Sequence, residues 1–121
     1  MTTFAVTLGL IVKGPDDVRR SHFERVTDRY ATLEAADAHL LDCSWGYSDH
    51  GGHATVDIDL TVDADDETAA YELASASVRS AIHDAHGATP GWGERASDPA
   101  AVVYRLTDES VALLPARTSA R

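Results

Sequence analysis

The chain of 121 residues holds one cysteine, one methionine, four prolines and a single lysine, Lys13, and only 7% of it is aromatic. Each scarcity excludes something. A lone Cys43 cannot build an internal disulfide framework or a multi-cysteine metal site. No apolar run reaches the roughly 18–20 residues that a membrane-spanning helix needs. The apolar run Phe4–Val12 has neither a basic preface nor a small-residue cleavage site, so no signal peptide is expected and the expected compartment is the cytoplasm. Basic charge is short as well: ten Lys and Arg stand against twenty Asp and Glu, a formal net charge of −10. A surface of that sign repels phosphate backbones and argues against direct nucleic-acid binding. It leaves three readings: a nucleic-acid mimic, a surface for a basic partner, or charge that serves solubility alone. Arg outnumbers Lys nine to one and Asp outnumbers Glu fourteen to six. That usage points to a high-GC genome, an actinobacterium or its phage, with a haloarchaeon as the alternative.

With 44% hydrophobic and 25% charged residues, the composition is that of a globular chain. We read one domain over residues 1–115 and a flexible tail at 116–121. Between Ala54 and Asp63 apolar and polar residues alternate strictly. Val56, Ile58, Leu60 and Val62 fall on one face, Asp57, Asp59 and Asp63 on the other, which predicts a half-buried strand. Similar alternation predicts strands at about 3–13, 39–48 and 100–107, with a short extra strand at 111–114. Gly51-Gly52 supplies the turn of a hairpin between the second and third strands. Val18, Val26, Tyr30, Leu33 and Ala36 recur at helical spacing over about 16–37. The start of that helix is open: Asp16 could cap it, or Ser21 and Glu24 could form a capping box. A second stripe, Ala70, Leu73, Ala74, Ser77, Val78, Ala81, Ile82 and Ala85, predicts a helix over about 69–85, capped by Asp65 or Asp66 and ended by Gly87. The order β-α-β-β-α-β predicts an α+β, ferredoxin-like sandwich: a four-stranded antiparallel sheet in the order 4-1-3-2, with both helices on one face.

The candidates for chemistry are thin. Asp57, Asp59, Asp63 and Asp42 could present oxygen ligands, but a flat strand diverges them, and no calcium-loop glycine is present. His83 and His86 stand at i, i+3, and His50 and His53 flank the hairpin glycines; neither pair has a third ligand nearby in sequence, so no metal and no cofactor is expected. Cys43 lies on an apolar face and reads as a small hydrophobe. No nucleophile elbow or phosphate loop is present, and no catalytic residue is assigned. Trp92, held in a loop by Pro90, Gly91 and Gly93, reads as a lid over the core edge or as an anchor for a partner.

The run Gly87-Ala-Thr-Pro-Gly-Trp92, following an acidic alternating strand and an Ala-rich helix, resembles small uncharacterised proteins of actinobacteria, their phages and integrated elements. The resemblance covers about residues 54–107 and implies a fold and a genomic setting only. The leading expectation is a non-enzymatic interaction protein, a homodimer or the partner of another protein. Ile11, Val103, Trp92, Asp57 and Asp59 are its candidate contact residues. A small-molecule binder or enzyme, with His22, Tyr30, His39, Trp45 and Tyr47 around a pocket, is the alternative. An acidic nucleic-acid mimic is the second.

Overall fold

The computed structural model describes residues 2–92 and 102–114. Its elements run β1 (Thr2–Lys13), α1 (Asp16–Ala36), β2 (Leu40–Asp49), β3 (Ala54–Ala64), α2 (Glu67–Asp84) and β4 (Val103–Leu113). The strands form one antiparallel sheet in the order β2-β3-β1-β4. This is the ferredoxin-like α+β arrangement expected from the sequence. The alternation in β3 is realised in full: Val56, Ile58, Leu60 and Val62 are buried, whereas Asp57 and Asp59 are exposed and Asp63 half-buried. Opposite them Val6, Leu8, Leu10 and Val12 of β1 are buried too, so the two central strands supply the floor of the core. Gly51 and Gly52 both take positive φ (72° and 97°), and His50 N donates to His53 O at 2.9 Å to close the hairpin. Glycine adopts such angles at little steric cost.

Four expectations change. The strand read at 100–107 and the separate one at 111–114 are a single β4, with residues 100 and 101 outside the described ones. A bulge explains the error. Gly9 pairs with Asp108 and Leu10 with Leu106, leaving Thr107 as an extra residue that donates its hydroxyl proton to Gly9 O at 3.0 Å. An inserted residue reverses the parity of everything after it, so Glu109 and Val111 follow Leu106 on the helix side and the alternation is interrupted.

On α1, neither proposed side-chain cap forms. Pro15 is the N-cap, Asp16 lies inside the first turn, and the Ser21 hydroxyl donates to Val18 O. The buried stripe of α1 is Arg19, His22, Val26 and Tyr30; Val18 and Leu33 are only half-buried and Ala36 is exposed. The cap of α2 is Asp66, whose carboxylate accepts from Ala69 N at 2.8 Å. The left-handed residue that ends α2 is His86 (φ 68°) rather than Gly87. His86 N donates to His83 O and Gly87 N to Ile82 O, the paired bonds of a Schellman motif. The tail at 116–121 lies outside the described residues. No helix among the described residues is long and apolar enough to cross a membrane.

Candidate functional site

Three groups of polar side chains stand out, and two of them are internal. Arg19 enters from the first turns of α1 and is 1% exposed. Its guanidinium donates to Gly14 O, to Asp16 and, through one nitrogen, to both oxygens of Asp49 at 2.8 and 3.0 Å. Asp49 also accepts from Gly51 N and the Tyr47 hydroxyl. The hydrogen bond from Arg19, with those two, holds the Asp49 carboxyl down at about 2. The node ties the start of α1 to the hairpin. Sequence reading missed it, although an arginine three residues before His22 on a helix and an Asp before Gly51-Gly52 were the available signals.

The second group is His22. Its Nε2 lies 2.8 Å from Ala85 O and its Nδ1 2.9 Å from the Tyr104 hydroxyl. A carbonyl only accepts, so Nε2 carries the proton and Nδ1 accepts from tyrosine. Burial pushes the imidazole below its usual range, with the Ala85 bond opposing and Arg25 and His86 adding to the fall. A neutral, doubly bonded imidazole joins α1, the end of α2 and β4. Gly87 belongs to this arrangement: a Cβ there would come within 2.8 Å of both His22 Cε1 and Ile82 Cγ2.

The third group faces outward. On the uncovered side of the sheet, Thr3 Oγ1 donates to Asp63 at 2.7 Å and Thr7 Oγ1 to Asp59 at 3.2 Å, while Asp57 stands opposite Gly9. The acids of this face crowd onto β3, with Asp42 beside them on β2. The β1–β4 half is less acidic, and there Ile11 pairs with Arg105 and Lys13 with Val103. Ile11 and Val103 are thus diagonal neighbours, each half-buried, with the two cations completing the square.

The five residues proposed to line a pocket do not share one. His22 is closed off as described, and His39 is exposed in the turn before β2. Tyr30 is buried edge-on against Trp45 (5.5 Å between centroids), while Trp45 and Tyr47 are half-buried around Phe23. A shallow groove of about 290 Å³ lies instead between the helices, lined by Leu33, Leu40, Leu73, Ser77 and Ser80 among others, none of them one of the five. Trp92 is a lid: it is 5% exposed, donates its indole N–H to the Tyr71 hydroxyl at 3.3 Å, and lies under the Arg79 guanidinium. Its burial removes it from the surface.

Among the described residues no three of His, Cys, Asp and Glu gather closely enough to hold a metal. His83 and His86 do not share a helical face, because α2 ends at Asp84 and His86 takes the left-handed turn; His83 bonds Thr89. His50 and His53 stack at 5.1 Å, with His50 on Thr55. Burial pushes the Cys43 thiol up to about 12, so it stays protonated and unreactive near neutral pH.

No protein-family model matches the chain, and no curated protein does. Solved structures do. A de novo designed protein, Foldit4, aligns with TM-score 0.43 at 13% identity over 87% of this chain and 97% of its own. A dimeric ferredoxin-like protein of unknown function from Thermobifida fusca aligns with TM-score 0.43 at 17% identity over 92% and 90%. A C-terminal segment of the alpha subunit of aIF2 from Pyrococcus abyssi aligns with TM-score 0.41 at 12% identity over 97% of this chain and 53% of that one.

Proposed function

We propose that the chain is a non-enzymatic protein-interaction module that associates with a second copy of itself. The observation that carries this reading is the one-sided sheet. Both helices lie on the same face; the edge strand β2 has a ladder partner on one side only, and the outer edge of β4 is bridged once, where Ala88 bonds to Val102 and Tyr104. Unpaired edges and an uncovered face are the surfaces through which such sheets meet other chains. The polar groups of the two internal nodes support the same reading, since Arg19, Asp49 and His22 are already engaged in internal bonds that hold the fold together. A cytoplasmic setting and a phage or mobile-element origin accompany this proposal. The origin rests on the Gly87–Trp92 resemblance, and gene neighbours drawn from a metabolic operon would remove it.

Sedimentation from low micromolar to several hundred micromolar protein tests self-association. With ten net negative charges on each copy, repulsion opposes assembly at low salt and is screened within about 8 Å at physiological ionic strength. The expected result is a concentration-dependent dimer that strengthens as salt is raised from about 10 mM to the physiological 0.15 M. A monomer at every concentration and salt ends the reading.

A further inference from the structure

The surface that meets the second copy is decided by three candidates. The open face is acidic over β2 and β3, where Asp42, Asp57 and Asp59 are exposed, and stacking it on its own mate brings carboxylates together in a desolvated layer. The β4 edge carries the Thr107 bulge and exposed Arg105, Asp108 and Glu109, the kind of twist and charge that discourages strand pairing. The β2 edge differs from both. Its ladder shifts once, at Leu41, but from Asp42 to Ser48 it pairs with β3 without irregularity, and that stretch contains no proline, no lysine and no charged residue after Asp42; Asp49, which ends the strand, is held by Arg19.

The ladder also fixes which β2 groups point out. His50 N donates to His53 O, so His50 and His53 form a hydrogen-bonded pair. Such pairs alternate along antiparallel strands, which directs the backbone of Ser44, Gly46 and Ser48 to β3 and that of Cys43, Trp45 and Tyr47 outward. The side chains of those three outward residues lie on the helix side, and all three are half-buried. The helix layer therefore stops short of the edge and leaves an aromatic margin.

We propose that two copies join β2 to β2 about a two-fold axis at Trp45, merging two four-stranded sheets into one continuous antiparallel sheet. The proposal rests on the self-association reading and names its surface. In this register Trp45 pairs with its own copy and Cys43 with Tyr47 of the second copy, each pair using outward backbone groups. On the open face Asp42 meets Ser48 and Ser44 meets Gly46, so no carboxylate faces another across the junction. The apolar row Cys43, Trp45 and Tyr47 runs on across the axis and is covered from both sides.

Oxidative cross-linking reads the register directly. On a Cys43→Ala background, Ser44→Cys with Gly46→Cys places thiols opposite each other in a non-hydrogen-bonded pair, with Cα atoms about 4.5 Å apart. Position 46 has room, since the nearest heavy atom to an added Cβ is Asp57 O at 3.9 Å. Copper-phenanthroline should convert most of this variant to a covalent dimer. Each single substitution, and Gly46→Cys with Ser48→Cys, should yield at least tenfold less. Ile11→Glu, on the open face, should change the dimer dissociation constant by less than threefold. A dimer that Ile11→Glu dissociates and that the 44/46 pair fails to cross-link overturns the β2 junction and leaves self-association standing. Equal cross-linking by a single variant overturns the register. A monomer at all concentrations removes both proposals.

Discussion

The two helices cover the same sheet by different means. Helix α2 buries Ala70, Ala74, Ser75, Val78, Ala81 and Ile82, a face of small residues with two branched aliphatics. Helix α1 buries Arg19, His22, Val26 and Tyr30, in which one aliphatic stands among three long side chains with polar ends. A small-residue face lets a helix lie close over strands, and its stability is a matter of area and fit. A face with polar ends depends on how many of them it satisfies, because a buried donor or acceptor without a partner costs about 1–3 kcal/mol. Helix α2 is therefore held by packing, and α1 by a set of specific bonds with packing around them.

The largest effect that tests this contrast is a cavity under α2. Ile82→Ala removes a fully buried side chain and should cost about 2–5 kcal/mol in chemical denaturation. Leu33→Ala on the half-buried flank of α1 should cost less than half as much. Equal losses would mean that α1 also depends mainly on apolar area.

Next in size is Gly87→Ala. Its Cβ would press on His22 and Ile82 at 2.8 Å each, and overpacking of that kind costs about 1–3 kcal/mol. Adding His22→Ala to Gly87→Ala should recover part of the loss, a non-additivity expected only of side chains in contact. Strictly additive losses would show that the ring and the glycine are not coupled.

His22 also gives the attachment of α1 a pH dependence. Its folded pKa lies below the ordinary value of 6.5. Above 6.5 neither the folded nor the unfolded state holds the proton, and the full stability is present. Below it the unfolded chain takes up a proton that the folded chain resists, so stability falls as pH drops from 6.5 toward the folded pKa. Asp49, held at about 2 against an ordinary 3.8, produces a second and lower window by the same reasoning. Melting temperatures between pH 7 and 4.5 should fall in the parent and flatten in His22→Gln. An unchanged slope in that variant would locate the dependence elsewhere.

This division also marks what the sequence revealed. The α2 stripe and the β3 alternation were legible because burial there follows the helical and strand periods with apolar residues. On α1 the pattern read Val18, Leu33 and Ala36 as core, because an arginine and a histidine at core positions break an apolar stripe rather than announce one. Arg19 bonds locally to Gly14 and Asp16, but its tie to the sheet is Asp49, thirty residues on, and His22 is explained only by Tyr104 and Ala85. Periodicity carries no information about partners so far away in sequence. The β4 bulge was hidden for a related reason: Thr107, Asp108 and Glu109 look like the end of a strand, and only pairing with Gly9 and Leu8 shows that the strand continues. The candidate pocket failed because aromatic and histidine residues were gathered by type: Tyr30, Trp45 and Tyr47 fill one aromatic cluster around Phe23, while His22 is bonded elsewhere and His39 is exposed in a turn.

The smallest effect is the most discriminating, because one chemical change should act with opposite signs at two tyrosines. Tyr104 donates its hydroxyl to His22 Nδ1 at 2.9 Å; Tyr104→Phe leaves a buried acceptor without a donor and should cost about 1–3 kcal/mol. The Tyr30 hydroxyl is buried and has no well-formed hydrogen bond among the described residues, with Ser77 and Cys43 nearby at poor geometry. Its neighbour Ser77 donates to Ala74 O at 2.8 Å, and the Trp45 ring packs against the phenol edge-on. Tyr30→Phe deletes an unsatisfied group, keeps the ring in place, and should raise stability by about 1 kcal/mol. Urea denaturation of both variants at neutral pH measures the two effects against the same parent. A loss at Tyr30 comparable to that at Tyr104 would mean that its hydroxyl has a partner in solution, and that α1 is bonded to the sheet at every polar position it buries.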